Sequence, residues 1–248
     1  MDFFHFGPNG DLFGSFTPPA SGRGGSTVAV LCYPFGQEYM RAHRAFRQLA
    51  TLLARRGVPV LRFDYSNTGD SGGHQEAGRI GRWVGDVRAA VEEARRRSGA
   101  NEVRIAGLRL GASLAMMASE GCVDVERLVL WDPVVRGSSL LDGAAPQANG
   151  VDEDTLWVSG FPISSRLRED IRSVDLREVR LPPSVRIIQM ISHPHRAFDE
   201  LAETWADHPG GAETRLIDSP SDWNYIDDVG GILVPREMVL GVVDAMGD

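Results

Sequence analysis

The chain has 248 residues, 42% hydrophobic and 24% charged, proportions that suit a soluble globular protein with enough apolar material for one large domain. The formal net charge of −8 argues against non-specific nucleic-acid binding, and all 26 basic residues are arginine, which excludes lysine chemistry such as a Schiff base or a P-loop. Two cysteines, Cys32 and Cys122, are too few for a disulfide framework or a structural zinc site. No apolar run is long enough for a membrane helix, and the N-terminus has no basic region ahead of an apolar run, so a cytoplasmic protein without membrane contact is expected.

In chain order, Phe3, Phe4 and Phe6, the turn Gly7-Pro8-Asn9-Gly10, and Leu12, Phe13 and Phe16 predict an N-terminal hairpin. Thr27–Tyr33 is a continuous apolar run, the mark of a strand buried on both faces. Phe46, Leu49, Ala50 and Leu53 recur at helical spacing, with Gly57 as the stop. Strands follow at Val58–Tyr65, Glu102–Gly107, Arg127–Trp131, Val185–Ile191 and Thr214–Ile217. Helices are predicted around Trp83–Ala94, Leu110–Met117, Phe198–Trp205 and Pro235–Ala245. This alternation predicts a single α/β domain over 1–248 with a mostly parallel, doubly wound sheet. The interval Gly137–Pro183 is too long for a simple crossover. With its helical piece Ser164–Ile171 it is expected to be a small lid over the carboxyl edge of the sheet, where ligands of such folds bind.

The most informative segment is Val103–Ala115. A strand runs through Gly107-Leu108-Arg109-Leu110-Gly111 into a helix rich in small residues. This is the strand–turn–helix context of the G-x-S-x-G nucleophile elbow, but its middle residue is Arg109.

Here the chain resembles α/β-hydrolases of the serine aminopeptidase type, and more closely the hydrolase-like proteins associated with bacterial exosortase A systems. The resemblance spans nearly the whole chain. It rests on Pro34–Glu38 after the third strand, Arg62-Phe63-Asp64-Tyr65 with Thr68–Gly72 after the fourth, Gly107–Ala112 at the elbow, Leu130–Pro133 after the sixth, and Gly160-Phe161-Pro162 in the lid. It implies an α/β-hydrolase fold with a nucleophile at position 109, an acid near Ser192–Arg196 and a histidine near Ser219–Asn224. Position 109 is Arg, the second stretch has no carboxylate, and no histidine follows His208. A guanidinium is not a nucleophile at neutral pH. Because the triad acts as a unit, its chemistry is expected to be absent.

Arg109 at a helix N-terminus is electrostatically uphill unless compensated. Asp132, at the end of the next strand, is the first candidate partner and Glu38 the second; such a pair would plug the pocket. The alternatives are an anionic ligand held by the guanidinium fork, or an Arg that points outward. An oxyanion hole in this fold uses main-chain amides, here Leu110 with Phe35 or Gly36, and Phe161 of the lid is a further ligand-contact candidate. His193 and His195 flank Pro194 near the expected acid position and are candidates for acid–base work, with metal binding only weakly suggested by their spacing. Cys32 reads as a buried small hydrophobe, Ser113 as packing, and Asp64 and Asp70-Ser71 as loop-fixing groups. No cofactor or metal is expected. Two functions follow: a biosynthetic enzyme acting non-hydrolytically, or with displaced machinery, on a carboxylate- or acyl-bearing small molecule or peptide; or a catalytically silent protein that binds a ligand, peptide, second copy or partner protein.

Overall fold

The computed structural model describes residues 1–22, 25–121, 124–144, 148–152, 154–220, 223 and 234–247. Of the residues singled out above, Cys122, Ser221, Asp222 and Asn224 lie outside this set. An eight-stranded sheet runs in the order β1-β2-β4-β3-β5-β6-β10-β11. Its strands are β1 (Asp2–Phe6), β2 (Leu12–Thr17), β3 (Thr27–Cys32), β4 (Val60–Phe63), β5 (Glu102–Leu108), β6 (Val125–Trp131), β10 (Arg186–Ile191) and β11 (Ala212–Leu216). The hairpin β1–β2 pairs antiparallel and adds antiparallel to β4; every other pairing is parallel.

The apolar periodicities build the flanking layers. In α1 (Gln37–Arg55) the buried positions Ala42, Ala45, Phe46, Leu49 and Leu53 form one stripe. In α2 (Ile80–Ser98) Trp83, Val87, Ala90, Val91 and Ala94 do the same, and Gly99, at φ +69°, closes the helix. α1 packs with α7 (Arg236–Gly247), and α2 packs with α3 (Leu110–Ser119). Arg104 and Arg127 stand side by side on β5 and β6, and both are buried. Their guanidinium groups donate to the Met246 (2.8 Å) and Ala245 (2.6 Å) carbonyls, so two buried cations cap the negative end of α7.

Between β6 and β10 the chain forms α4 (Gly137–Ala144), a separate antiparallel sheet β7-β8-β9 (Ala148–Asp152, Thr155–Val158, Phe161–Ser164) and α5 (Ser165–Arg172). None of it enters the eight-stranded sheet. After β10 comes α6 (Arg196–Glu203). The helices anticipated from periodicity are present, whereas the three short strands were not anticipated.

Strand order positions the site. From β3 the chain crosses through α1 to β4 on one side, then through α2 to β5 on the other. The order therefore reverses between β3 and β5, and a crevice opens there at their carboxyl ends.

Candidate functional site

Residues leaving four neighbouring strands meet at this edge: Tyr33 after β3, Arg109 after β5, Asp132 after β6 and Ser192 after β10. The turn from β5 into α3 is tight because two glycines allow it. A Cβ on Gly107 would lie 2.5 Å from the Gly111 carbonyl oxygen, and one on Gly111 would lie 2.2 Å from that of Tyr33 and 2.4 Å from that of Cys32. Between them Arg109 is held at φ +54°, ψ −122°, a conformation that L-residues rarely adopt. Its N–H donates to Trp131 O (2.9 Å), and its carbonyl accepts from Ala112 N (3.0 Å). Leu110 begins α3, so its N–H is among those without an intrahelical acceptor, while its side chain is buried in the core.

Glu38 is the partner of Arg109. Arg109 Nε donates to Glu38 Oε1 at 3.1 Å; the Glu38 side chain is 8% exposed and that of Arg109 28%. Glu38 lies in the first turn of α1, where a carboxylate suits the helix dipole, and Gly36 at φ +67° turns the chain into that helix. The expected partner, Asp132, corrects the sequence reading. Its Oδ1 accepts the Ser192 N–H at 2.8 Å, and Arg109 Nη1 reaches only the Asp132 main-chain carbonyl, at 3.4 Å. The main chain at Asp132, at φ +41°, presents its carbonyl to Arg109 while its carboxylate caps the start of the next loop.

Asp132 is 1% exposed. Burial holds its carboxyl above its ordinary value, partly offset by the Ser192 hydrogen bonds and by the charges of Arg109 and His193. The folded state thus binds this proton more tightly than the unfolded chain does, and the group's contribution to stability falls as pH rises from the unfolded value through the folded one. Asp132→Asn keeps an acceptor for the Ser192 amide. We expect thermal melts at pH 4 and pH 7 to show a smaller loss, or larger gain, of the variant's stability relative to wild type at pH 7 than at pH 4.

The two histidines do not join Arg109. His193 is exposed, with Nδ1 3.0 Å from Ser192 Oγ. His195 caps α6, its Nδ1 accepting from Ala197 N at 3.2 Å. Both rings pack on Phe198, with centroids 5.8 Å away. Cys32 is fully buried and burial pushes its thiol far up, so it is an inert core group. Ser113 Oγ donates to Val134 O at 2.8 Å. Asp64 and Ser71 do most of the loop fixing: Asp64 Oδ2 accepts from Asp70 N (2.9 Å), and Ser71 Oγ donates to Asp64 O (2.7 Å). Among the described residues, no three His, Cys, Asp or Glu side chains gather as a metal set. No helix among them is long and apolar enough to cross a membrane.

Arg109 and Glu38 line a cavity of about 110 Å³. Phe35, Gly36 and Phe161, three of the four expected contact residues, line it too; Leu110, His193, His195 and Asp132 do not. Most of its remaining apolar wall is Leu140, Leu141, Val158 and Ile163 from the segment between β6 and β10. Sequence reasoning missed these four. The available signal was Ser159-Gly160 between the short runs TLWV and FPIS; both turn residues have positive φ, as a two-residue hairpin turn requires.

The sequence matches no protein-family model and no curated protein. Solved structures do resemble it. Est1E from Butyrivibrio proteoclasticus, solved with ferulic acid bound, superposes with a TM-score of 0.70 at 14% identity, covering 98% of this chain and 96% of that one. A putative hydrolase from Agrobacterium vitis gives 0.60 at 20% identity over 98% and 96%. XC6422 from Xanthomonas campestris, described as an α/β serine hydrolase without a lid, gives 0.56 at 19% identity over 86% and 83%. The reversal of strand order at β3, the tight turn after β5 and these superpositions agree that the chain has the α/β-hydrolase fold.

Proposed function

We propose that this protein carries a cation in place of the elbow nucleophile. In this reading it holds a small apolar carboxylate or acyl-bearing molecule in front of Arg109, without Ser-His-Asp chemistry. The carrying observation is the setting of Arg109. It sits at the head of α3, is bonded through Nε to Glu38, and still lines a cavity whose other walls are mainly apolar. A guanidinium so placed offers its other N–H groups to an anion, and a helix N-terminus adds to the attraction. Residues 137–183 act as the lid, with Leu140, Val158 and Phe161 facing the ligand's hydrocarbon part. The amides of Leu110 and of the Phe35–Gly36 loop are the donors for a second oxygen. The Est1E structure with ferulic acid is an instance of this fold holding a carboxylic acid. The elbow sequence GLRLGA, similar to that of exosortase-associated hydrolase-like proteins, fits a biosynthetic setting.

A second reading, a non-hydrolytic enzyme, is favoured by one observation: Glu38 lines the cavity beside Arg109, so a carboxylate would face a molecule bound there. The histidines that would strengthen it are engaged elsewhere.

Titration with butyrate tests the main reading. Arg109→Ala should weaken binding roughly ten- to a hundredfold, the worth of a charge-assisted hydrogen bond of about 1.5–3 kcal/mol. Arg109→Lys should restore it only in part, because an ammonium lacks the planar fork. Unchanged affinity in Arg109→Ala would remove the cation from the site. Stoichiometric labelling of a serine by a fluorophosphonate would overturn the non-covalent character.

A further inference from the structure

A cavity of about 390 Å³, larger than the one at Arg109, lies away from it, between α1 and the N-terminal hairpin. Its lining is more polar than that of the first cavity. Arg62, on β4, lines it and is only 5% exposed. A buried guanidinium ordinarily sits on a carboxylate. Here Arg62 Nη1 donates to the Tyr33 hydroxyl at 3.0 Å and Nη2 to the Met1 thioether at 3.5 Å, while Nε has no hydrogen-bond partner among the described residues. No carboxylate among them comes within ion-pair distance of it. A thioether is a weak acceptor and compensates little of a full charge.

The rest of the lining defines what would complete the site. Arg47, exposed on α1, adds a second cation, and His43 faces the same space. The His43 imidazole is held below its ordinary value by burial and then by the charge of Arg62, partly offset by Asp64 and Asp70. Asp64 and Asp70 line the cavity as acceptors, although Asp64 already accepts from the Tyr39 hydroxyl at 2.8 Å. The two carboxylates favour a ligand that carries a hydrogen-bond donor as well as an anionic group. The volume is in the range of small-molecule sites.

We propose that this cavity is a second ligand site, for a small carboxylate bearing a hydroxyl or ammonium group on its α-carbon. The carboxylate faces Arg62 and Arg47, and the donor faces Asp64 and Asp70. The site is independent of the reading given for Arg109.

Calorimetric titration of Arg109→Ala protein, which lacks the other cation, isolates it. The probes are L-lactate, L-serine, propionate and lactamide. Lactate or serine should bind, propionate more weakly for want of a donor, and lactamide at least tenfold more weakly than lactate. Arg62→Gln should lower affinity at least tenfold. Arg47→Gln, at an exposed position that does not threaten the fold, should lower it severalfold even if Arg62→Gln fails to fold. The proposal is overturned if neither lactate nor serine binds, if lactamide matches lactate, or if affinity is indifferent to both arginine substitutions.

Discussion

Arg109→Ala should lose about 1–3 kcal/mol of stability, because Glu38 is left in a buried position without its cationic donor. Glu38→Ala should cost less, since Arg109 is more exposed than its partner and keeps access to the cavity and solvent. The double variant should recover part of the loss, with a coupling energy of about 0.5–3 kcal/mol in urea or thermal unfolding. A cycle through Asp132 in place of Glu38 should show much weaker coupling, because the Asp132 carboxylate bonds the Ser192 amide. Strong coupling to Asp132 and none to Glu38 would refute the pairing described here. Stability and ligand affinity measured on the same variants separate two roles of one residue. A purely structural Arg109 would move the first and leave butyrate binding untouched.

Gly111→Ala should be the most damaging small substitution in the elbow. Its added Cβ would meet the carbonyl oxygens of Tyr33 and Cys32 at 2.2 and 2.4 Å, and main-chain atoms of a central strand cannot step aside. Overpacking of this kind costs about 3 kcal/mol or more, which for a chain of this size lowers the melting temperature by roughly 6–12 °C. Gly85→Ala is the matched control. It lies within α2, no atom lies within 4 Å of its added Cβ, and its backbone is helical, so it should gain up to about 1 kcal/mol. Equal melting temperatures for the two variants would mean that the elbow is not packed as described.

These outcomes also show what the sequence made legible. β3 was readable because five consecutive buried residues need no alternation, and α1 and α2 because their apolar positions recur every three or four residues. The elbow was readable because its two glycines have steric reasons that no other residue satisfies. The sheet β7-β8-β9 was not, because its strands are short and the half-buried residues of β8 carry no strong pattern. The partner of Arg109 was not legible either. Both Asp132 and Glu38 stand at the correct edge, and the choice turned on a Ser192 amide sixty residues away in sequence that captures Asp132. The histidines were placed near the right strand end but not in the cavity; His195 is taken up by capping α6, a role usually filled by Ser, Thr, Asp or Asn. The Arg62 cavity was missed because Arg62-Phe63-Asp64 reads as a strand end, and nothing local shows that the guanidinium has no carboxylate partner among the described residues.

The central claim is that the charge at the elbow receives an anion. The most direct measurement is a side-by-side calorimetric titration of the wild-type protein with butyrate and butyramide, which match in shape and differ in charge. Arg109 discriminates between them only if the carboxylate meets the guanidinium. We predict that butyrate binds at least about tenfold more tightly, equivalent to about 1.4 kcal/mol, and that the difference vanishes in Arg109→Ala. Equal affinity for the two compounds in the wild-type protein, or binding of neither, would contradict the account.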